Sequence, residues 1–421
     1  MPSASLALGN LRAVAVLLIL AFHCFSAYIV TQPTRPLAVD LASYEWRAFP
    51  IVDSERWIGF DLFCAFQFLY LMQLMFFLSG LFVWRSLQRR GSRPFLVYRI
   101  VRLGVPFIVG VYVLIPLAFY PVFRVTADDP SWSSFWSHWT ALRITPTGPM
   151  WFLWFLIALN VGAVILYGLS SSVGRFVEPL LAKAMAHTGR FFAIVICISA
   201  ATYFPLSAIY SPWQWVGIGP FEVQAAFAPQ YILYFLIGVA VGAHGYDRGL
   251  LDAAGPLVRR WRTWVSASFA AFFLWIIPTA LIVKQPDSPV AVLQVIGDLG
   301  LVIFAAAACF TMTAIFLRFA TARRPIIDSI SEHSYGIYFF HYTFVLWLQF
   351  MLLGLAIPAI VKGLAVFFAT VILSWAASVV TNRILASGRL LLGRAAVGLG
   401  APSTADGGSA RAKSFSKTLP R

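Results

Sequence analysis

The chain has few charged residues and few cysteines, and both shortages restrict what it can be. Only 11% of its 421 residues are charged, whereas a soluble domain usually has about 25%. So little polar surface cannot cover a water-soluble globule of this size. Its cysteines lie singly within apolar blocks and form no C-x-x-C pair, which indicates neither a metal site nor a disulfide framework. They are Cys24, Cys64, Cys197 and Cys309.

Common enzyme motifs are also missing. The sequence has no G-x-x-x-x-G-K-[ST] loop for nucleotide hydrolysis and no H-E-x-x-H for zinc. Residues 77–81 read F-L-S-G-L, which is not the G-x-S-x-G turn of a serine hydrolase. We therefore expect no metal and no permanently bound cofactor.

Apolar residues make up 60% of the chain and come in blocks of about twenty. Such a block spans the ~30 Å hydrocarbon core as a helix, because backbone groups in lipid must bond to one another. The sequence therefore predicts an all-α polytopic membrane protein with about ten transmembrane helices. The predicted spans are 11–30, 58–84, 95–123, 149–169, 191–211, 223–243, 263–283, 290–317, 330–353 and 359–381.

The distribution of charge predicts the topology. Of the 31 basic residues, 24 lie at the N-terminal end or in every second connecting segment and the tail, which places both termini in the cytoplasm. The net charge of +15 is therefore a membrane-topology signal and does not indicate nucleic-acid binding. Residues 1–394 are predicted to form the membrane domain, and residues 395–421 a disordered basic cytoplasmic tail.

Two long segments, 31–57 and 124–148, are predicted to lie on the non-cytoplasmic side of the membrane. They are rich in tryptophan, including Trp46, Trp57, Trp132, Trp136 and Trp139. Aromatic residues at such positions usually anchor a protein at the membrane interface. Stacking against a sugar is the functional alternative.

Arg12 and His23 lie eleven residues apart on the first predicted helix. At 3.6 residues per turn they share one stripe, about 16 Å apart along the axis. We expect Arg12 near the cytoplasmic end, where it could also snorkel to the interface, and His23 near the middle of the membrane. Ionisable residues at that depth usually face a cavity or a partner, although a neutral imidazole held by one hydrogen bond is the structural alternative.

His341 lies about eleven residues into the ninth predicted span, which also starts from the cytoplasmic side. We therefore expect His23 and His341 at one level of the membrane. Asp61 or Glu222 is a candidate to orient a histidine, and Asp298 is a further acidic candidate. Polar side chains that line the same cavity or bridge helices are Gln67, Gln73, Ser79 and Asn160.

Arg99 and Arg102 form an R-x-x-R at the cytoplasmic start of span three. Three-residue spacing puts both on one helix face, and paired guanidinium groups suit phosphate binding. Ordinary positive-inside charge or contact with anionic lipid is the alternative explanation.

Four segments in this order resemble the membrane acyltransferase-3 family, whose members include bacterial O-acyltransferases and glucans biosynthesis protein C. Residues 11–23 are similar to its R-x10-H helix, residues 75–82 to its F-F-x-x-S-G stretch, and residues 334–341 to its S-Y-x-x-Y-x-x-H. The segments are L-R-A-V-A-V-L-L-I-L-A-F-H, M-F-F-L-S-G-L-F, Y-R-I-V-R-L-G-V-P (98–106) and S-Y-G-I-Y-F-F-H, with W-F-L-W-F-L at 151–156 also fitting.

The resemblance implies transfer of an acetyl or succinyl-type group from cytoplasmic acyl-CoA to a hydroxyl of an extracytoplasmic carbohydrate or lipid-linked envelope acceptor. It implies a multi-pass protein of the inner (plasma) membrane. The residues matching Arg12 and His23 are needed for activity in the family, and those matching Arg99 and Arg102 are associated with the donor. His341 is then a second residue of the catalytic cavity.

A buried neutral histidine is suited to act as general base on a hydroxyl or to carry the acyl group as a nucleophile. We favour the base role for His23. A ten-span transporter or flippase that uses the intramembrane histidines as a proton relay is the alternative function. Transporters often show internal repeats, and no repeat is evident here.

Overall fold

A computed structural model describes residues 3–39, 45–169, 185, 187–245, 249–284 and 291–398. By its internal packing the chain divides into two units, Met1–Ser378 and Val379–Arg421. The first unit contains the elements that form the candidate site. Of the predicted tail, residues 399–421 lie outside the described residues.

The described residues are mostly helical. The helices are α1 (Ser3–Phe25), α2 (Ile58–Phe68), α3 (Leu71–Leu81), α4 (Val83–Arg90), α5 (Ser92–Val109), α6 (Ile115–Thr126), α7 (Trp132–Ala141), α8 (Trp151–Gly168), α9 (Thr188–Ser207), α10 (Ala228–His244), α11 (Pro256–Arg259), α12 (Trp261–Lys284), α13 (Ala291–Phe319), α14 (Pro325–Leu352) and α15 (Ala359–Gly398). Short 3-10 turns occur at Ser26–Tyr28, Glu45–Arg47, Gly148–Met150 and Gly249–Leu251, and one π turn, Gly110–Leu114, joins α5 to α6.

The all-α prediction missed one small sheet. Strands β1 (Trp215–Ile218) and β2 (Phe221–Gln224) form an antiparallel hairpin. The hairpin turns at Gly219, whose φ of 56° is a conformation that glycine adopts without steric cost. As a result the predicted span 223–243 begins late, at Ala228.

Eight helical segments among the described residues are long and apolar enough to cross a membrane. They are Ala4–Tyr28, Ile58–Arg90, Ser92–Thr126, Gly148–Gly168, Thr188–Ser207, Trp261–Lys284, Ala291–Phe319 and Ala359–Leu385. The other two predicted spans correspond to α10, which has 17 residues, and to α14, which is rich in tyrosine and histidine. The protein is therefore a multi-pass membrane protein, and the count of ten and the side of each terminus stay predictions.

Helices α1 and α14 run in the same direction. Near their starts, the Ser331 hydroxyl donates to the Gly9 carbonyl at 3.2 Å. Towards their ends, the Gln349 amide donates to the His23 carbonyl at 2.9 Å. The first and ninth predicted spans were both expected to start from one side, and their relative direction agrees with that prediction.

Two prolines explain how α14 is attached to α5 and α6. A proline within a helix leaves the carbonyl four residues earlier without its donor, which applies to Arg102 before Pro106 and to Leu117 before Pro121. The Tyr335 hydroxyl donates to the Arg102 carbonyl at 2.8 Å, and the Trp347 indole donates to that of Leu117 at 2.9 Å. Side chains of α14 therefore replace the missing backbone donors and hold this helix against α5 and α6.

The glycine of the F-F-x-x-S-G segment has a packing role. A Cβ atom on Gly80 would lie 2.2 Å from the Phe235 carbonyl oxygen, and one on Gly238 would lie 2.1 Å from that of Phe77. Helices α3 and α10 therefore contact each other backbone to backbone, as small residues allow within a membrane.

Two ion pairs connect segments that were all predicted to lie on the non-cytoplasmic side. Arg47 contacts Glu222 at 2.8 Å, and Lys362 contacts Asp53 at 2.8 Å with both side chains fully buried. These pairs tie the first long loop to the hairpin and to the start of α15.

The tryptophans of the long loops differ in exposure. Trp132 and Trp136, on α7, are 46% and 43% exposed, as expected of interface anchors, whereas Trp46 is completely buried. Trp46 packs edge-on against Phe119, with ring centroids 5.3 Å apart. The anchor prediction is therefore wrong for Trp46, which belongs to the core.

Candidate active site

The structure brings His23 and His341 together. Their ring centroids lie 5.4 Å apart, with the planes inclined at 41°, and the Tyr342 ring lies 5.2 Å from that of His23. His341 is fully buried within α14, and His23 is half-buried. The prediction that the two imidazoles occupy one level is therefore confirmed.

The tautomer of His341 follows from its one hydrogen bond. Its Nδ1 lies 2.5 Å from the Tyr338 carbonyl oxygen. Since a carbonyl only accepts hydrogen bonds, Nδ1 carries the proton, and in a neutral ring Nε2 then has the lone pair. That Nε2 atom is buried and has no hydrogen-bond partner among the described residues. Buried polar atoms are rarely left without a partner, so this one is a strong candidate for a functional group.

Gln349 holds the end of α1 against α14. Its side-chain nitrogen donates to the carbonyls of His23 at 2.9 Å and Cys24 at 3.1 Å, and the side chain is 1% exposed. Both carbonyls belong to the last turn of α1, where the helix offers them no donor. One side chain of the His341 helix thereby fixes the backbone that carries His23.

The first helix begins earlier than predicted, which changes where Arg12 and His23 lie along it. We expected the span to begin at residue 11, but α1 begins at Ser3, because Ala4, Ala7 and Leu8 are buried in the core and extend the helix. Arg12 therefore lies within the first half of α1 and His23 in its last turn. Their separation on one stripe, about 16 Å, is unchanged.

Three arginines lie at the opposite end of this arrangement. Arg12 is close enough to Arg102 for their charges to repel, and Arg99 is subject to the same repulsion. The Arg102 guanidinium donates to the Tyr98 hydroxyl and lies 5.8 Å from the Tyr335 ring.

These arginine charges are not neutralised within the described part of the chain. No carboxylate there forms an ion pair with Arg12, Arg99 or Arg102. The Arg99 Nε atom is buried and has no hydrogen-bond partner among the described residues. Clustered, unpaired guanidinium groups leave N–H donors and positive charge for an anion.

The acidic candidates do not orient either histidine. Asp61 accepts bonds from the Val30 and Thr31 backbone amides at 2.7 and 2.9 Å, and so stabilises the first loop. Glu222 bonds to Arg47 and to the Thr147 hydroxyl, at 2.8 and 3.0 Å. The prediction that one of these carboxylates supports a histidine is therefore wrong, because each is engaged at the loop end of the bundle.

The remaining polar candidates contact other elements. The Asp298 carboxylate accepts a bond from Ser207 at 2.9 Å. The Gln73 amide donates to Gln230 at 3.1 Å and links α3 to α10. Asn160 donates to the Leu156 carbonyl of its own helix. Gln73 and Asn160 therefore have structural contacts away from the histidine pair.

Sequence reasoning missed Gln349, and it gave no role to Tyr335 and Tyr338, although both belong to the S-Y-x-x-Y-x-x-H segment; all three position the site from α14. The Tyr338 hydroxyl donates to the Pro149 carbonyl and its own carbonyl holds His341. A polar residue on an apolar helix, one turn or two from a histidine, was the available signal. Within the described residues no group of three or more His, Cys, Asp or Glu side chains could hold a metal ion.

The fold and this geometry define a multi-pass membrane protein with a histidine pair between two parallel helices, and with arginines on α1 and α5 that no described carboxylate pairs with. The family model of the Acyltransferase domain, acyltransferase-3, matches residues 6–379. The chain therefore belongs to this family of membrane acyltransferases, as the four sequence segments predicted. No curated protein and no solved structure matches it.

Proposed function

We propose that this protein is an O-acyltransferase of the inner (plasma) membrane. It moves an acetyl or succinyl-type group from cytoplasmic acyl-CoA to a hydroxyl of an extracytoplasmic carbohydrate or related envelope acceptor. One observation carries the proposal: α1 and α14 hold a histidine pair, and Arg12 of α1 lies near Arg99 and Arg102 of α5, where no described carboxylate pairs with them.

The arginine cluster supports binding of the donor. Coenzyme A carries phosphate groups, and guanidinium groups bind phosphate oxygens in pairs. Arg99 and Arg102 are the proposed phosphate ligands. Arg12 lies near Arg102 and on the same stripe of α1 as His23, and we assign it to the thioester end of the donor.

The histidine pair supports the transfer step. We assign His23 as general base because it is half-buried and thus reachable by substrate. His23 takes the proton of the acceptor hydroxyl as the oxygen attacks the thioester carbon. The C–O bond forms, the C–S bond breaks, and the proton passes to the departing thiolate. While His23 carries this proton, its ring is positively charged. The lone pair of His341 Nε2 stabilises that charge.

The distances along the helices suit an elongated donor. On α14, Tyr335 contacts Arg102 and lies six residues before His341, which corresponds to about 9 Å. On α1, Arg12 lies about 16 Å from His23. A donor whose phosphates bind the arginines would therefore direct its thioester end towards the histidines.

The test uses purified protein in nanodiscs with labelled acetyl-CoA or succinyl-CoA and a neutral glucose oligosaccharide. We expect an acylated sugar from the native protein and none from His23→Ala. His138→Ala is the matched control, because it removes a histidine from α7 and should leave the product unchanged. Equal product from native protein and His23→Ala would contradict the assignment of the base.

A second experiment separates the proposal from the transporter alternative. Mass spectrometry of envelope sugars from cells with and without the protein should reveal the acyl group and the acceptor. Uptake of a sugar into proteoliposomes without any acyl transfer would favour a transporter instead.

A further inference from the structure

A cavity of about 280 Å³ lies beyond the last turn of α14, at the end of the bundle that carries His23. Its wall includes Thr34, Ser54 and Arg56 from the first long loop and Leu353 and Gly354 from the end of α14. The volume is near the lower end of the ~300–1,000 Å³ that small-molecule sites occupy. The cavity therefore has room for one small polar group or a single sugar ring.

The cavity lies beyond the histidine pair along α14, with Leu353 twelve residues, or about 18 Å, after His341. Leu353 is four residues after Gln349, so the wall lies about 6 Å further along α14 than the side chain that bonds to the His23 carbonyl. At Gly354, φ is 78°, a conformation in which any side chain would be strained. This glycine lets the chain turn away from the helix and leave the cavity open.

Arg56 gives the cavity a fixed positive charge. Its guanidinium donates to the carbonyls of Asp53, Val30, Gln32 and Pro33, which hold it rigidly and occupy four of its five N–H groups. Carbonyl partners do not neutralise a charge. The fifth N–H has no acceptor among the described residues and so remains for a ligand.

No described carboxylate forms an ion pair with Arg56. Asp53 lines the same cavity, but its carboxylate is buried against Lys362, which donates to both oxygens at 2.9 and 2.8 Å. The charge of Asp53 is thus balanced by Lys362, whereas no carboxylate among the described residues balances the charge of Arg56. The exposed Thr34 adds a hydroxyl as a further hydrogen-bonding group.

We propose that this cavity is a subsite for an oxyanion, a phosphate or a carboxylate, carried by the hydroxyl-rich acceptor. This inference rests on the proposed function, because it names the chemistry of the acceptor. The free N–H and the charge of Arg56 bind the oxyanion, the Thr34 hydroxyl binds a neighbouring oxygen, and the acceptor is long enough for its reacting hydroxyl to reach His23.

The test compares three probes with the same hexose ring: glucose, glucuronate and glucose 6-phosphate. Binding to the full-length protein in nanodiscs is followed by ligand-observed NMR titration without acyl-CoA. We expect both anions to bind roughly five to ten times more tightly than glucose, the gain from one opposite charge across a small, partly solvated cavity.

Ser54→Asp and Ser54→Asn form the matched pair of variants. Both residues have the same size and Ser54 is exposed, so neither should disturb folding, but only aspartate neutralises the charge of Arg56. We expect Ser54→Asp to abolish this preference for the anions and Ser54→Asn to retain it. Binding of phosphate at the arginine cluster would be affected equally by both variants. The pair therefore distinguishes binding at that cluster from binding in the cavity.

Three outcomes would overturn the inference: no preference for the anions, a preference that survives in Ser54→Asp, or an equal loss in both variants. Because binding is measured without a donor, it is independent of acyl transfer. Anion binding that behaves as expected in a protein without transferase activity would count against the proposed function alone.

Discussion

Replacing Gln349 by methionine tests whether this side chain positions His23. Methionine is similar in length but donates no hydrogen bond, so the His23 and Cys24 carbonyls lose their contacts at 2.9 and 3.1 Å. The His23 carbonyl keeps a second donor, the Ser26 hydroxyl at 2.9 Å, whereas that of Cys24 is left without one. A buried carbonyl without a partner costs about 1–3 kcal/mol, which is the expected loss in the free energy of unfolding.

The expected effect on catalysis is larger than the effect on stability suggests. The end of α1 is no longer tied to α14, so the two imidazole rings lose their fixed separation. Misplacing a catalytic group by ~1 Å can reduce a rate ~100-fold, and we expect kcat to fall at least tenfold. KM for acyl-CoA should change little, since the arginine cluster lies elsewhere on the helices.

The assay is steady-state acyl transfer together with thermal unfolding in detergent. Thr343→Val is the control, because the Thr343 hydroxyl of the same helix also donates to a carbonyl, that of Leu114 at 3.3 Å, which belongs to the π turn Gly110–Leu114 and not to α1. Gln349→Met should lower kcat and Thr343→Val should not. If both variants lose equal stability and equal kcat, the positioning role is refuted.

Two further substitutions test the fold. Lys362→Met should lower the free energy of unfolding by about 3–5 kcal/mol, because it leaves the Asp53 carboxylate buried and unpaired. Adding Asp53→Asn to this variant should recover part of the loss. Chemical unfolding measures both, and strictly additive effects of the two substitutions would contradict the expectation. Gly242→Ala should destabilise the protein markedly, because the new Cβ would lie 1.9 Å from the Leu81 carbonyl oxygen. In the control Gly162→Ala, the new Cβ has no atom within 4 Å, so the melting temperature should stay unchanged or rise slightly. Equal melting temperatures for the two alanine variants would show that α3 and α10 can separate at little cost.

Much of the candidate site was predictable from spacing alone. The eleven residues between Arg12 and His23 fix their common stripe on any straight helix, because helix geometry depends on the local backbone. The common level of His23 and His341 was also predictable, since charge alternation gives the relative direction of the first and ninth spans, but their contact at 5.4 Å was not. The loops were less predictable: Trp46 is buried where we expected an anchor, and β1 and β2 precede α10.

The sequence alone is enough to establish the class of protein, the common face of Arg12 and His23, and the family. These depend on composition and on local periodicity, which the bilayer constrains strongly. Contacts between distant segments depend on tertiary packing instead. Tyr335 meets the carbonyl that Pro106 leaves open, and Gln349 meets the last turn of α1, only because α14 packs along both helices. No local pattern encodes those partners, and they are the contacts that place the histidine pair.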